Sequence, residues 1–261
     1  MNENSLIEAR NQLLDRVQTL AEKQTSVQGL FLGGSLAAGN PDAYSDIDFR
    51  IVLAPTVDKE QFLKMFLKKV APILFIETQT PFYAVVHFAS FIKLDVFVYY
   101  PEELQPSPWF ANIWILKEEQ HQLHELKVAS HQQSYLPTQT ELDFFLTKYY
   151  ANLHEYYRRL QRQETIYATT CRLMTIHCLI SFWYMEKGYP PNSLGDWSKY
   201  EGPRTKLTTA QQHIIQDLLS AESKFIHQID EQVQITLLNL TAQPSLTLDF
   251  AHYQQVVSLI K

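Results

Sequence analysis

Two acidic residues, Asp46 and Asp48, are separated by a single residue in the apolar segment DIDFRIVL. The segment has the character of a strand, and on a strand residues i and i+2 project from the same face. Ile47, Phe49 and Ile51 would then pack on the opposite face. Two carboxylates held side by side repel each other, so one takes up a proton unless cations lie between them. The pattern therefore predicts a pair of hard divalent ions such as Mg²⁺, which prefer carboxylate and phosphate oxygen.

A glycine-rich turn precedes these acids. The apolar segment VQGLFLGG ends in Gly33 and Gly34, and Ser35 follows directly. Glycine lets the backbone approach a ligand closely, and exposed N–H groups at the start of a helix favour an anion. The Ser35 hydroxyl adds a donor for a phosphate oxygen. We therefore expect this turn to bind phosphate.

Two metal ions need a third carboxylate ligand, and Asp95 in the strand-like segment FIKLDVFVYY fits this role. Two metal ions held by such acids can stabilise both the attacking and the leaving oxygen of an in-line displacement at phosphorus. Lys93 lies two residues before Asp95 and would share its face. A Lys93–Asp95 ion pair on the surface is therefore the structural alternative.

The spacing of these residues resembles a known family. Gly33-Gly34-Ser35 is followed after ten residues by Asp46-Ile47-Asp48, with Asp95 on a later strand. This pattern resembles the nucleotidyltransferase superfamily of the DNA polymerase β type, over about residues 25 to 100. With a helical second half, the chain is similar to the bacterial aminoglycoside and lincosamide nucleotidyltransferases. The resemblance implies Mg²⁺-dependent transfer of a nucleoside monophosphate, usually AMP from ATP, to a hydroxyl, with release of pyrophosphate.

The resemblance also implies roles for particular residues. Three acids would be the catalytic residues and the ligands of two Mg²⁺ ions: Asp46, Asp48 and Asp95. The turn residues would bind the nucleotide: Gly33, Gly34 and Ser35. The general base stays open, because some relatives use the third acid and others a carboxylate of the helical domain. In this chain the helical candidates, by residue type alone, are Glu141, Asp143 and Glu155.

The elements that position these residues can be predicted from hydrophobic periodicity. The segment SLIEARNQLLDRVQTLAEK predicts an amphipathic helix, and a second helix is predicted near residues 59–70. Runs rich in β-branched and aromatic residues predict the strands of a sheet, namely VQGLFLGG, DIDFRIVL, ILFIE, AVVHFAS and IKLDVFVYY. The segment NIWILKEEQHQLHEL is compatible with a hairpin or a helix. Beyond it, helices are predicted from about 138, over 166–187, 208–228 and 249–260.

We therefore predict an α+β protein of two domains, divided in the proline-rich segment 101–108. Residues 1–105 would form a nucleotidyltransferase catalytic domain, a mixed β-sheet flanked by helices. Residues 106–261 would form an all-α helical bundle that binds the acceptor. Cys171 and Cys178 are expected to be buried thiols, because two cysteines within one predicted helix suggest neither a disulfide scaffold nor a zinc site.

Composition limits the classes of partner. Apolar residues make up 46% of the 261 residues and charged residues 19%, which is a globular profile. The net charge of -6 argues against a protein that binds long phosphate backbones. The longest apolar run, residues 173–185, is too short to cross a bilayer, and the polar start MNENS does not resemble a signal peptide. We expect a cytoplasmic enzyme with a nucleoside triphosphate and a small hydroxyl acceptor as partners, and no nucleic acid or membrane partner.

An antibiotic acceptor would make the protein a resistance factor, but the residues alone do not name the acceptor, the preferred nucleotide or the oligomeric state. The competing interpretation is a catalytically silent nucleotide-binding or toxin-neutralising module with the same fold. Three clustered carboxylates argue against it, because a silent module gains nothing from keeping them close together.

Overall fold

The computed structural model of the chain describes residues 2–70, 72–221, 223–242 and 244–260. The chain forms two compact units, Met1–Ser134 and Tyr135–Lys261. The first unit contains a mixed sheet with helices and the second is helical, so the predicted α+β class is confirmed. The domain limits at 105 and 106 stay a prediction, and the structure groups residues 106–134 with the first unit.

The first unit is built on a six-stranded sheet with the order β3-β4-β5-β2-β1-β6. Its strands are β1 (Val27–Leu32), β2 (Ile47–Leu53), β3 (Ile73–Gln79), β4 (Tyr83–Phe88), β5 (Lys93–Tyr99) and β6 (Trp114–Glu118). Strands β2 and β5 run parallel, and the other neighbouring pairs are antiparallel. The five predicted strands are present, and β6 comes from the segment that was ambiguous between a hairpin and a helix.

Four helices lie in the described part of the first unit: α1 (Glu3–Glu22), α2 (Gly34–Ala37), α3 (Lys59–Lys69) and α4 (Gln122–His131). Helix α1 buries the stripe formed by Leu6, Leu13 and Val17 in the same apolar core as the inner face of the sheet. The Asp58 side chain caps α3 by accepting a hydrogen bond from the Gln61 N–H. Helices α1 and α3 agree with the sequence prediction.

The two faces of the sheet differ in chemistry. On β2 and β5 the fully buried side chains alternate with partly exposed ones. Ile47 and Phe49 of β2 point into the core, whereas Asp48 points to the opposite face. This alternation places polar side chains of neighbouring strands together on the face opposite the core. Part of that face is covered by α4, whose Leu123 packs with Val52 of β2.

The second unit contains five helices in its described residues: α5 (Gln139–Gln161), α6 (Thr165–Glu186), α7 (Thr209–Ser220), α8 (Phe225–Thr241) and α9 (Phe250–Ser258). Of all the helices in the described part of the chain, none is both long enough and apolar enough for a transmembrane span. Cys171 and Cys178 of α6 are buried free thiols, as expected.

The prediction of one helix over residues 208–228 is wrong, because α7 ends at Ser220 and α8 begins at Phe225. The Arg172 guanidinium donates to the Leu218 carbonyl and so satisfies an acceptor at the end of α7. The break allows the fully buried Phe225 ring to pack against Tyr156, with ring centres 4.8 Å apart. Tertiary packing therefore ends a helix that the periodicity would continue.

A buried polar network joins α5, α8 and α9. Asp230 is 2% exposed, and its two oxygens accept hydrogen bonds from the Tyr253 hydroxyl at 2.5 Å and the Gln234 amide at 2.7 Å. The Tyr149 hydroxyl lies 3.5 Å from that of Tyr253. Burial raises the pKa of both tyrosines above the ordinary value, and the neighbouring Asp230 charge adds to this effect. A buried carboxylate is tolerated here because hydroxyl and amide donors replace its water.

We expect Tyr253→Phe to lower the free energy of unfolding by about 1–3 kcal/mol, because the substitution removes a donor from a buried carboxylate. Urea unfolding of the whole chain measures the change. Tyr167→Phe is the matched control, since the Tyr167 ring is half exposed. Equal unfolding midpoints for the two variants would contradict a stabilising role for the network.

Candidate functional site

The structure brings the three predicted acids to one place on the sheet face opposite the core. Asp46 immediately precedes β2, Asp48 is on β2 and Asp95 is on β5. The parallel register sets the Cα atoms of Asp48 and Asp95 opposite each other. The side chains of Asp46, Asp48 and Asp95 are 33%, 21% and 16% exposed. Their catalytic and metal-binding roles stay predictions, but their proximity is an observation.

Two basic side chains lie among these acids. Lys93 Nζ lies 2.7 Å from Asp46 Oδ2 and 3.4 Å from Asp95 Oδ2. Arg50 Nη2 lies 3.1 Å from Asp48 Oδ1. The Lys93–Asp95 pair considered from the sequence is therefore present, and Lys93 also contacts Asp46. These cations offset the repulsion of three neighbouring carboxylates.

The electrostatic coupling of the site changes two pKa values. Burial raises the pKa of Asp95; the Lys93 charge opposes this, and the charges of Asp46 and Asp48 add to it. Burial by itself lowers the pKa of Lys93, but its hydrogen bond to Asp46 and the charge of Asp95 outweigh burial and raise that pKa overall. The charged form of Asp95 is therefore less favourable here than that of an ordinary exposed carboxyl group.

The glycine turn lies directly against Asp48. The Gly33 N–H donates to the Asp48 carbonyl at 3.0 Å, so the turn continues β1 beside β2. Gly34 has φ of +59°, and a Cβ atom there would lie 1.9 Å from Asp48 Oδ2. Only glycine permits both this conformation and this approach. The buried Ser35 Oγ, next in the chain, has no hydrogen-bond partner in the described residues.

Whether the site suits Mg²⁺ can be judged from its carboxylate oxygens and their present partners. Asp95 Oδ1 is buried and, within the described residues, lacks a hydrogen-bond partner. Carboxylate oxygens are the protein ligands that Mg²⁺ prefers. Among the described residues, no group of three or more His, Cys, Asp or Glu side chains is already arranged as a metal site. The donor set therefore fits, but binding would require Asp46 and Asp48 to release Lys93 and Arg50.

Arg50 is a site residue that the sequence analysis did not predict. Its guanidinium lies 3.9 Å from the centre of the Phe97 ring, and its buried Nη1 has no partner in the described part of the chain. Arg50 is also near the turn, because its Nη2 would lie 3.6 Å from a Cβ on Gly33. The sequence pattern could have predicted this position, because Arg50 is two residues after Asp48 and therefore lies on the same face of the strand.

A pocket of about 550 Å³ lies beside Asp46 and Lys93, where β2 and β5 begin. His87 of β4 also lines it. His87 Nε2 lies 2.7 Å from Glu77 Oε2, and its ring stacks on Phe75 with ring centres 4.3 Å apart. No sequence pattern predicts this pocket, because its lining comes from segments far apart in the chain.

The three helical candidates for a general base have partners on α5 itself or at its N-cap. Glu141 accepts from Thr138 in a capping box, and Asp143 accepts from Gln139. Glu155 pairs with Arg158 and Arg159, and the hydrogen bonds from these two side chains lower the pKa of Glu155. These contacts are typical of an exposed helix surface and single out no base.

Comparison with protein families supports the resemblance drawn from the motif. Residues 10–93 match the family model described as the nucleotidyltransferase domain. The resemblance of this part of the chain to that superfamily is therefore confirmed. The match contains the glycine turn, Asp46 and Asp48, and ends two residues before Asp95. No curated protein matches the sequence significantly.

Three solved structures align with most of the chain. An aminoglycoside 6-adenyltransferase from Bacillus subtilis is 12% identical over 95% of this chain and 98% of that one, with a TM-score of 0.41. A nucleotidyltransferase-like protein from Exiguobacterium sibiricum is 14% identical over 87% and 73%, with a TM-score of 0.42. The non-canonical poly(A) polymerase complex GLD-2–GLD-3 is 13% identical over 86% and 56%, with a TM-score of 0.29.

We expect Gly34→Ala to destabilise the first unit more than Gly39→Ala. Both positions have positive φ, but a Cβ at Gly39 meets nothing within 4 Å, whereas one at Gly34 collides with Asp48. Gly39→Ala therefore loses stability only through the strained backbone conformation. The further loss in the free energy of unfolding of Gly34→Ala should be about 1–3 kcal/mol. Urea unfolding of both variants measures the difference. Equal losses would show that the turn does not pack on Asp48.

Proposed function

We propose that the protein is a Mg²⁺-dependent nucleotidyltransferase that transfers AMP from ATP to a hydroxyl of a small acceptor and releases pyrophosphate. One observation carries the proposal: Asp48 and Asp95 face each other on neighbouring parallel strands, and the Gly34 backbone lies against Asp48. Acids and a phosphate-binding turn are thereby adjacent, which is the pairing that phosphoryl-type transfer needs.

Each group of residues has a role in this proposal. Asp46, Asp48 and Asp95 would hold two Mg²⁺ ions, which when bound neutralise the triphosphate and the charge that develops in the transition state. The Gly34 N–H and the Ser35 hydroxyl would hold the β- and γ-phosphates. The Gly33 N–H is already bonded to the Asp48 carbonyl, so Gly33 would contribute through the close approach of its backbone. Within the described residues the buried Ser35 Oγ has no hydrogen-bond partner. This supports the role, because a buried hydroxyl without a partner is costly unless a ligand satisfies it.

The reaction is an in-line displacement at the α-phosphorus. The acceptor oxygen forms a bond to this phosphorus, and the bond from the phosphorus to the bridging oxygen of pyrophosphate breaks. Pyrophosphate leaves with that electron pair. We assign the hydroxyl proton to Asp95, since the resemblance names the third acid as a possible base and its buried Oδ1 has no hydrogen-bond partner within the described residues. A general base must lie within hydrogen-bond reach of the proton that it accepts.

Arg50 would bind the triphosphate from the side of the glycine turn. Its guanidinium lies over the Phe97 ring with Nη2 on the side of Gly33, and its buried Nη1 has no hydrogen-bond partner within the described residues. A planar guanidinium is suited to phosphate oxygen because it offers two parallel donors. Binding a nucleotide would thus give Arg50 a new partner when Asp48 turns to the metal.

Aminoglycosides and lincosamides are the first acceptors to test, because the sequence pattern resembles the enzymes that modify them. Resistance to such an antibiotic and a cytoplasmic location stay predictions. The silent nucleotide-binding module remains the alternative, and it differs from the enzyme in one measurable respect, the release of pyrophosphate.

The test is pyrophosphate release with Mg²⁺, from each nucleoside triphosphate in turn, across a panel of hydroxyl compounds that includes both antibiotic classes. We expect Asp46→Asn to reduce turnover at least about 100-fold, because the loss of a carboxylate removes charge stabilisation at the reacting centre. Asp15→Asn, on the exposed surface of α1, is the matched control and should keep full activity. Nucleotide binding without release by the wild type would support the silent module, and full activity of Asp46→Asn would refute the assigned site.

A second measurement addresses Arg50. We expect Arg50→Met to raise the KM for the nucleotide about 10- to 100-fold, the loss that follows from removing charged hydrogen bonds to phosphate. The KM for the acceptor should change little. Arg16→Met on exposed α1 is the control. An unchanged nucleotide KM would show that Arg50 only balances the charge of Asp48.

A further inference from the structure

The pocket beside Asp46 has the composition of a small-molecule binding site. Its walls are mainly apolar and include Leu74 and Phe91, whereas Asp46 and Lys93 supply charge where the pocket meets the acid cluster. Ligand pockets generally combine apolar and aromatic walls with a few placed polar groups, and a volume of about 550 Å³ is within their usual range.

Three aromatic side chains of this pocket are unusually exposed. Tyr44 and Phe91 are each 66% exposed and Phe75 is 50% exposed. A single exposed aromatic residue needs no explanation, but three around one cavity form an apolar patch that a ligand can cover. The wall is also held in place, because the His87 ring stacks on Phe75 and contacts Glu77. Such a wall offers a preformed surface for a flat or apolar ring.

The position of the pocket indicates which substrate it would take. The glycine turn that would hold the leaving phosphates continues β1, on one side of β2. The pocket is lined by Leu6, by residues 43–46 just before β2, and by residues of β3, β4 and β5 with the turn at 91–92. These three strands lie on the other side of β2. In an in-line displacement the attacking oxygen approaches the phosphorus opposite the leaving group. The acceptor would therefore arrive from the side of the pocket.

We propose that this pocket binds the acceptor, and that the acceptor carries an aromatic or other apolar ring next to its reacting hydroxyl. This assignment rests on the proposed transfer reaction and narrows its substrate class. It places acceptor binding in the first unit, in contrast to the helical bundle predicted from the sequence. Among the described residues that line the pocket, Asp46 is the one acid, and it is paired with Lys93. A polycationic sugar would find few carboxylates here, whereas an uncharged hydroxyl compound with an apolar ring would cover the exposed aromatic residues.

The test compares two uncharged probes with the same sugar hydroxyls, phenyl β-D-glucopyranoside and methyl β-D-glucopyranoside. Their binding to the full chain is measured by titration calorimetry or ligand-observed NMR, without nucleotide turnover. We expect the phenyl compound to bind at least about tenfold more tightly, since burial of one aromatic ring is worth that much. Equal binding of the two probes, or no binding of either, would overturn the proposal.

Phe91→Gly tests the site with little risk to folding, because Phe91 has φ of 68°, a conformation that glycine adopts freely. We expect this variant to lose most of the phenyl preference. Phe82→Ala is the control, since Phe82 is similarly exposed and does not line the pocket. A preference that survives Phe91→Gly would place the phenyl group elsewhere and so contradict the proposal.

A third measurement separates the acceptor from the nucleobase of the nucleotide. The non-transferable analogue α,β-methylene-ATP is added with Mg²⁺ to the complex with phenyl β-D-glucopyranoside. We expect no displacement, and displacement would assign the pocket to the nucleobase and overturn the proposal. The binding experiments and the pyrophosphate assay can fail independently. A phenyl preference that Phe91→Gly abolishes supports the pocket whether or not AMP is transferred, whereas failure of the transferase function would appear only as absent pyrophosphate release.

Discussion

The repulsion among Asp46, Asp48 and Asp95 is the constraint on which the site depends. Three carboxylates at the start of two neighbouring parallel strands can stay charged only if positive charge lies among them. In this structure Lys93 and Arg50 supply it, each through contacts with acids on its own or the adjacent strand. The same arrangement suits divalent ions, which would bring more charge to the place that the two side chains now balance.

The sheet is what keeps the acids close despite this repulsion. Leu94 and Val96 of β5 pack with Ile47 and Phe49 of β2 in one buried core, and this packing holds the two strands in register. Removal of large apolar side chains from water contributes about 1.5–3 kcal/mol each, enough for a few such residues to outweigh the repulsion between partly solvated charges. The acids therefore occupy positions set by the apolar face beneath them.

The two sides of the acid cluster have different chemistry. On the β1 side the turn offers the Gly34 N–H and the Ser35 hydroxyl, and Arg50 of β2 adds a guanidinium, all of which suit phosphate oxygen. On the β4 side the surface is aromatic and apolar, with His87 and Lys93 at its polar end. For the proposed transfer, this asymmetry would set a direction across the sheet, with the leaving group toward the turn and the acceptor toward the aromatic wall.

Much of the fold and part of the site follow from local sequence. Strand alternation is a property of neighbouring residues, so the shared face of Asp46 and Asp48, and the turn at Gly33-Gly34, could be predicted without the fold. The partners of these acids could not be predicted in full, since the contact of Lys93 with Asp46 depends on the pairing of β2 with β5. The break before Phe225 and the aromatic pocket likewise required tertiary structure, because they arise from packing between segments that are distant in the chain. Local periodicity determines which face of its strand or helix a side chain occupies, whereas long-range packing determines which side chains it contacts.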